Sequence, residues 1–262
     1  MRELDQARNG HPHVALDRVA ILGRGRLGSA IATALGDAGV EVDGPYGHRD
    51  SPAALIERVD AVLLCVPDSE IATVAAGLAP GAPLGHCSGA TGLDALGVGE
   101  AFSLHPLMTV PAQATPGVLQ GAGAAVAGSS PSAIAIARSL AELLGMRPIV
   151  IDDADRVAYH AAASIASNFL VTLEDAAERI AATAGLPREL LEPLVRASVD
   201  NWARLGAARA LTGPVARGDA ETVGSQRTAV HERAPELLEL FDALVDATER
   251  LAARTHAHEA VA

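Results

Sequence analysis

Val19-Ala20-Ile21-Leu22-Gly23-Arg24-Gly25-Arg26-Leu27-Gly28-Ser29-Ala30 is the stretch that decides the fold. Residues 19–22 read as a short buried strand and residues 29–35 as a helix. Between them three glycines stand in the spacing GxGxxG. Gly23 permits the tight turn, Gly25 lets the backbone approach a pyrophosphate, and Gly28 lets the helix pack on the sheet. The N–H groups that open the helix, at Arg26 and Leu27, have no partner inside it and suit phosphate oxygens. A glycine-rich turn that only permits close packing is the plain alternative. The strand before, the helix after and a second strand at the right distance favour a dinucleotide site.

Working outward, residues 39–43 open that second strand, and residues 61–66 (AVLLCV) form a third. The third is nearly all apolar, as fits a strand buried on both faces. Pro67 and Asp68 stop it, and residues 69–78 read as the next helix. Further strands are expected at 84–87, 101–104, 124–127 and 148–151. Ser130 or Ser132 can cap a helix that runs through Leu144 and ends at Gly145. Alternating strands and helices predict an α/β fold: a parallel, doubly wound sheet with crossover helices. After Asp153 the pattern changes. Residues 155–184, 188–205 and 234–253 carry long helical periods with no convincing strand, and Leu237, Leu240, Phe241, Leu244 and Val245 share one helical face. Two domains are therefore expected, residues 15–153 and an all-helical 154–262.

The chain has 262 residues, 49% of them hydrophobic, which is ample for a core. All 20 basic residues are arginine, against 32 Asp and Glu, for a formal charge of −12. The absence of lysine excludes a Schiff base, a pyridoxal-phosphate anchor, a P-loop lysine and a lysine general acid. The acidic balance argues against nucleic acid and anionic membranes as partners, because phosphate contacts need a basic face. Aromatics at 2% leave few stacking platforms. No apolar run is long enough to span a bilayer, and the first residues carry no signal-like apolar segment. Cys65 and Cys87 are too few for a disulfide framework and read as buried free thiols, so a cytoplasmic protein is expected. The terminal histidine pairs, His11 with His13 and His256 with His258, read as surface residues, and no metal is expected.

The end of the second strand sets the cofactor preference. It reads Tyr46-Gly47-His48-Arg49-Asp50-Ser51. An NAD site usually places an acid here for the ribose 2′-OH. His48 and Arg49 occupy the sensitive place, and Arg49 can pair with a 2′-phosphate, helped by Ser51 and Arg24. NADP is favoured over NAD, with Asp50 pulling the other way. In a doubly wound sheet the ligand lies outside the carboxyl ends of the strands. Val66 and Pro67, then Ser88 and Gly89, then His105 lie at three such ends. Ser88 and His105 can face a nicotinamide or substrate there; each taken alone is as well explained as a loop hydrogen-bonder.

The pieces GRGRLGSA, VPDSEI, HCSGATGLDAL, SLHPLMTV, YHAAASIASNFLVTL and ALTGPVARGDAETV occur in that order. Together they resemble the bacterial Rossmann-like oxidoreductases whose C-terminal half is the domain of unknown function 2520. That group is similar in architecture to the 6-phosphogluconate dehydrogenase-like proteins, including ketopantoate and pyrroline-5-carboxylate reductases. The resemblance implies an N-terminal NADP-binding Rossmann domain, an all-helical C-terminal domain and a homodimer through the C-terminal helices. Ketopantoate reductases carry a lysine and then asparagines at four-residue steps on the helix after the boundary. Laid on that pattern, His160 takes the lysine position, Ser164 the first asparagine and Asn168 the second. On an α-helix these positions advance by about 40° each, so they form one polar stripe among alanines.

The resemblance thus implies NADPH-dependent reduction of a small oxo-acid or imine, ketopantoate-like or pyrroline-carboxylate-like. His160 or a bound water supplies the proton, Ser88, His105 and Asn168 orient the substrate, and Arg217 in TGPVARGD holds a substrate carboxylate. The substitution has a chemical consequence. A lysine (about 10.4) is charged at neutral pH, whereas a histidine (about 6.5) is mostly neutral. A tight interhelical turn with an Arg217–Asp219 surface pair explains the second cluster equally well. The rival from another class is a catalytically inactive NADP-binding regulatory or scaffold protein, which loss of the lysine fits as well.

Overall fold

The computed structural model describes residues 14–47, 50, 58–79, 81–97, 99–113 and 117–259. Seven strands make one sheet in the order β2-β1-β3-β4-β5-β6-β7. They are β1 (Arg18–Leu22), β2 (Glu41–Tyr46), β3 (Ala61–Leu64), β4 (Leu84–His86), β5 (Ala101–Leu107), β6 (Gly123–Gly128) and β7 (Arg147–Val150). Every expected strand is present, within a few residues of its expected ends. One pairing departs from the parallel expectation, because β5 and β6 run antiparallel. The described part of their connection holds turns and no helix. Without a crossover helix the chain cannot return to the start of the sheet, so the next strand lies antiparallel.

Successive strand residues face opposite sides of a sheet. Val19, Ile21, Leu63, Phe102 and Leu104 therefore join one core cluster, and Ala20, Leu22, Val62 and Leu64 the other. Helices α1 (Arg26–Asp37) and α3 (Pro131–Leu143) cover the first with Ile31, Leu35, Ile136 and Leu140. Helix α2 (Ile71–Ala76) covers the second with Ile71 and Ala75. This two-sided cover is the doubly wound arrangement. The start of α3 is settled by Ser130, whose Oγ accepts from the Ala133 N–H at 3.1 Å with Pro131 next in the chain.

The chain divides into two compact units, Met1–Ser167 and Asn168–Ala262. The division falls inside the expected helical region and not at Asp153. The first helical turns, α4 (Arg156–Ser164), stay with the sheet because the Arg156 guanidinium is buried against it. A π-helical turn, Ile165–Phe169, comes next in the chain, so the expected unbroken helix over 155–184 is interrupted. The second unit contains α5 (Leu170–Thr183), α6 (Glu192–Leu205), α7 (Ala207–Ala210), α8 (Ala220–Arg233) and α9 (Leu238–Glu259). Helix α8 carries too few apolar residues to show a period in sequence. Asp219 caps it through the Thr222 N–H at 3.1 Å, and Arg227 grips Asp242 of α9 with two bonds of 2.8 Å. The unit's small core is Val230, Ala234 and Leu237, with Ala176, Ile180 and Phe241 beside them. Among the described residues no helix is long and apolar enough to cross a membrane.

Candidate active site

The glycine loop joins β1 to α1 as the sequence predicts, and each glycine meets a different surface. Gly23 has φ +116°, and a Cβ there would lie 2.1 Å from the Cys65 carbonyl oxygen. No other residue fits that turn. A Cβ on Gly28 would lie 2.0 Å from the Gly23 carbonyl oxygen and 3.1 Å from Cys65 Cβ, so this glycine lets α1 pack closely on the ends of β1 and β3, as expected. Beside Gly25 there is open space instead. Gly25 is also the N-cap of α1, with no side chain capping it and no acidic residue in the first turn. The N–H groups of Arg26 and Leu27, which open α1 without an intrahelical partner, therefore suit an anion beside Gly25. These features fit a pyrophosphate.

At the end of β2 the Arg24 guanidinium reaches across. Its Nη2 bonds the Asp50 carboxylate at 2.8 Å and its Nε bonds the Pro45 carbonyl at 3.1 Å. Asp50 also accepts from the Gly47 N–H at 2.7 Å. His48, Arg49 and Ser51, the residues expected to meet a 2′-phosphate, lie outside the described residues.

A second group of side chains collects at the ends of β4 and β5. His105 and His160 stand edge to face with ring centres 5.9 Å apart. The Tyr159 hydroxyl lies 2.9 Å from His105 Nδ1. Gly89 is wedged between the imidazoles, since a Cβ there would lie 2.7 Å from His160 Cδ2 and 2.9 Å from His105 Cε1. Burial, and then the nearby His160, lower the His105 pKa to about 4. His105 is therefore neutral at physiological pH. Burial pushes the Tyr159 phenol up, so it keeps its proton. When Tyr159 donates to Nδ1, the remaining hydrogen of His105 sits on Nε2, the nitrogen beside Gly89.

Ser88 is built differently from its expected role. Its hydroxyl donates to Asp68 at 2.7 Å and accepts from the Ala90 and Thr91 N–H groups at 3.1 and 2.9 Å. A hydroxyl has one hydrogen, so Ser88 ties its loop to Asp68 and keeps none for another acceptor. His86 holds the same loop through Nδ1, which accepts from the Ser88 N–H at 3.2 Å. Beneath lies Arg156, 1% exposed. Its Nη2 bonds Ser103 Oγ at 2.9 Å, and Nε and Nη2 bond Asp153 at 3.0 and 2.9 Å. One side chain thus joins β5 to the first turn of the helix that carries Tyr159 and His160.

Residues 123–248 match the family of the domain of unknown function DUF2520. The match begins in β6 and ends within α9, so the domain includes part of the sheet. Solved structures share the fold. A proposed NADP oxidoreductase, BF3122 of Bacteroides fragilis, superposes with a TM-score of 0.76 at 19% identity, over 89% of this chain and 98% of its own. Protein TM1727 of Thermotoga maritima gives 0.74 at 25% identity, over 91% and 99%. The 1-pyrroline-5-carboxylate reductase of Streptococcus pyogenes gives 0.62 at 18%, over 89% and 98%. No curated protein sequence matches the chain.

Within the DUF2520 match, the expected polar stripe is divided. His160 and Ser164 are half-buried on α4, whereas Asn168 is exposed in the π-helical turn and belongs to the second unit. A π turn bonds i to i+5 and so shifts the phase of the residues beyond it, which breaks the even 40° progression. Arg217, also of the second unit, is exposed, and Asp219 bonds Thr222 rather than pairing with it. Val66 and Pro67 lie past the end of β3, Val66 packed against the second core cluster. Sequence reasoning missed Tyr159, Arg156 and Asp68. The neighbour relation of Tyr159 to His160 was the available signal for the first; nothing local marks an arginine that will be buried.

Proposed function

We propose that this protein is an NADP-dependent oxidoreductase acting on a small oxo-acid or imine. The observation that carries the reading is that neutral His105, with His160 and Tyr159, lies towards the same carboxyl-terminal side of the parallel strands as an open, uncapped glycine loop. Gly23, Gly25 and Gly28 shape the cradle, Arg26 and Leu27 supply N–H groups to the pyrophosphate, and Val66 and Pro67 border the ribose side. Arg24, with His48, Arg49 and Ser51, meets the 2′-phosphate. When bound, the nicotinamide supplies the hydride.

The chain's own residues manage the proton and the orientation. His105, neutral, donates from Nε2 to the carbonyl or imine atom, and Tyr159 holds it in that tautomer. His160 delivers the proton as hydride arrives. Ser88 and Gly89 give the loop its shape against the two imidazoles. Ser164 extends the polar face of α4 beyond His160. For Asn168 and Arg217, which belong to the second unit, the family resemblance implies substrate roles, Arg217 on a carboxylate. The shared fold of the S. pyogenes reductase supports an imine as readily as a keto acid.

The second unit supports a homodimer. Among its described residues only Ala181, Val230, Ala234 and Leu237 are buried, while Val171, Leu190, Leu194 and Trp202 are exposed. So small a core does not stabilise a helical unit alone, and a second copy on these faces supplies the missing burial.

The test is titration with NADPH and NADH followed by a panel of keto acids and cyclic imines. NADPH binding with turnover of at least one panel member is the expected result. Binding without turnover identifies a regulatory nucleotide binder, and no binding of either dinucleotide overturns the reading.

A further inference from the structure

Two thiols take no part in the chemistry above. Cys65 follows β3 and Cys87 follows β4, each one residue past Leu64 and His86, the last pair in that register. The Cys87 N–H donates to the Leu64 carbonyl at 3.1 Å. The two Sγ atoms lie 3.6 Å apart. These are the chain's two cysteines, both free, with Cys87 buried and Cys65 half-buried. A disulfide needs its sulfurs at about 2.05 Å, so the pair must approach further to bond.

Cys65 is also the floor of the glycine loop. Its carbonyl carbon and oxygen fill the space where Gly23 lacks a side chain, and its Cβ lies 3.1 Å from where a Gly28 Cβ would sit. Its N–H is held by the Leu22 carbonyl at 2.6 Å. Movement of Cys65 towards Cys87 therefore carries the loop with it.

We propose that Cys65 and Cys87 form a reversible oxidation site, closed into a disulfide by a hydroperoxide, and that closure displaces the glycine loop. Half-buried Cys65 is the thiol that a peroxide reaches. Its sulfur attacks one peroxide oxygen and the O–O bond breaks. Cys65 becomes a sulfenic acid, and the departing oxygen takes the thiol proton and leaves as water from hydrogen peroxide, or as the alcohol from an alkyl hydroperoxide. The Cys87 sulfur then attacks the Cys65 sulfur. The S–S bond forms, the S–O bond breaks, and water leaves with the Cys87 proton. Two thiols lose two electrons and the peroxide gains them. The Cys65 contact and burial push the Cys87 thiol up, so it stays protonated until the sulfenic acid forms beside it.

The consequence for dinucleotide affinity rests on the proposed function; the disulfide and the loop movement do not. By linkage, a dinucleotide lying on the loop disfavours the disulfide at equilibrium by the same factor as the disulfide weakens its binding.

The full chain is treated with hydrogen peroxide, with and without NADPH. Thiols are then counted under denaturing conditions, disulfide peptides are mapped, and amide exchange of residues 19–29 is followed. The expected result is loss of both thiols together and one intrachain Cys65–Cys87 linkage, reversed by dithiothreitol. Exchange of the loop quickens about tenfold in the oxidised form, and NADPH affinity falls by a similar factor. In Cys65→Ser and Cys87→Ser, peroxide leaves loop exchange unchanged. A Cys65 sulfinic acid with Cys87 still free overturns the proposal, as does a linkage between two chains or a disulfide with unaltered loop exchange. Reduced protein that binds no NADPH refutes the dinucleotide reading alone, and the mapping and exchange results still decide this one.

Discussion

Gly89 leaves no room for a side chain, which makes it the sharpest probe of the imidazole pair. Gly89→Ala places a methyl 2.7 Å from His160 Cδ2 and drives both rings off their positions. Turnover should fall by about tenfold or more with NADPH affinity nearly unchanged, since the glycine loop is untouched. The ratio of the two measurements is the check. His105 makes a separate prediction about pH. Its pKa is about 4 in the fold against an unfolded value of about 6.5, so between these limits the unfolded state binds more protons. Stability is then fully present above about pH 6.5 and is lost as pH falls towards 4, by on the order of 3 kcal/mol. Urea unfolding of wild type and His105→Asn at several pH values should show a smaller slope in the variant, where the contribution of buried His86 remains. On the proposed NADP reading a 2′-phosphate meets Arg24, and Asp50, which bonds that guanidinium, competes with it and repels it. Asp50→Asn should raise the NADPH-over-NADH affinity ratio by about tenfold, or roughly 1.4 kcal/mol. At this scale the sequence was only partly readable. GxGxxG announces itself because its spacing is local. The meeting of Tyr159 with His105 joins residues 54 apart in the chain, so only folding reveals it.

Strands and loops of the first unit were legible because each is a short apolar run bounded by glycine, proline or a cap. Two elements were not. The antiparallel β5–β6 pairing depends on the absence of a crossover helix, a property of the connection and not of either strand. Helix α8 is held by its Asp219 cap and the Arg227–Asp242 pair, neither of which leaves a hydrophobic period. Arg156 shows how one residue can set the position of an element. It is buried, yet its partner Asp153 is 52% exposed, so removing the arginine strands little charge while loosening α4 from β5. Arg156→Met should cost about 3 kcal/mol in unfolding free energy and disorder the His105–His160 contact. Ser103→Ala should cost about 1 kcal/mol, because Nη2 retains Asp153. Denaturant melts of the two variants separate these values.

The whole chain combines a well-filled sheet unit with a helical unit that has a small core and exposes Val171, Leu190, Leu194 and Trp202. If a second copy covers them, sedimentation should give twice the 26.6 kDa chain mass, and Leu190→Ser with Leu194→Ser should return it to one. The distribution of aromatic residues has a practical consequence. The only tryptophan, Trp202, is 58% exposed on α6 of the second unit, while both tyrosines, Tyr46 and Tyr159, belong to the first. Light at wavelengths that tyrosine does not absorb therefore excites the helical unit alone. Its emission colour reports whether the indole is wet or covered. The unlabelled protein thus carries an optical channel that belongs to the helical unit alone, so assembly through that unit can be followed without a label.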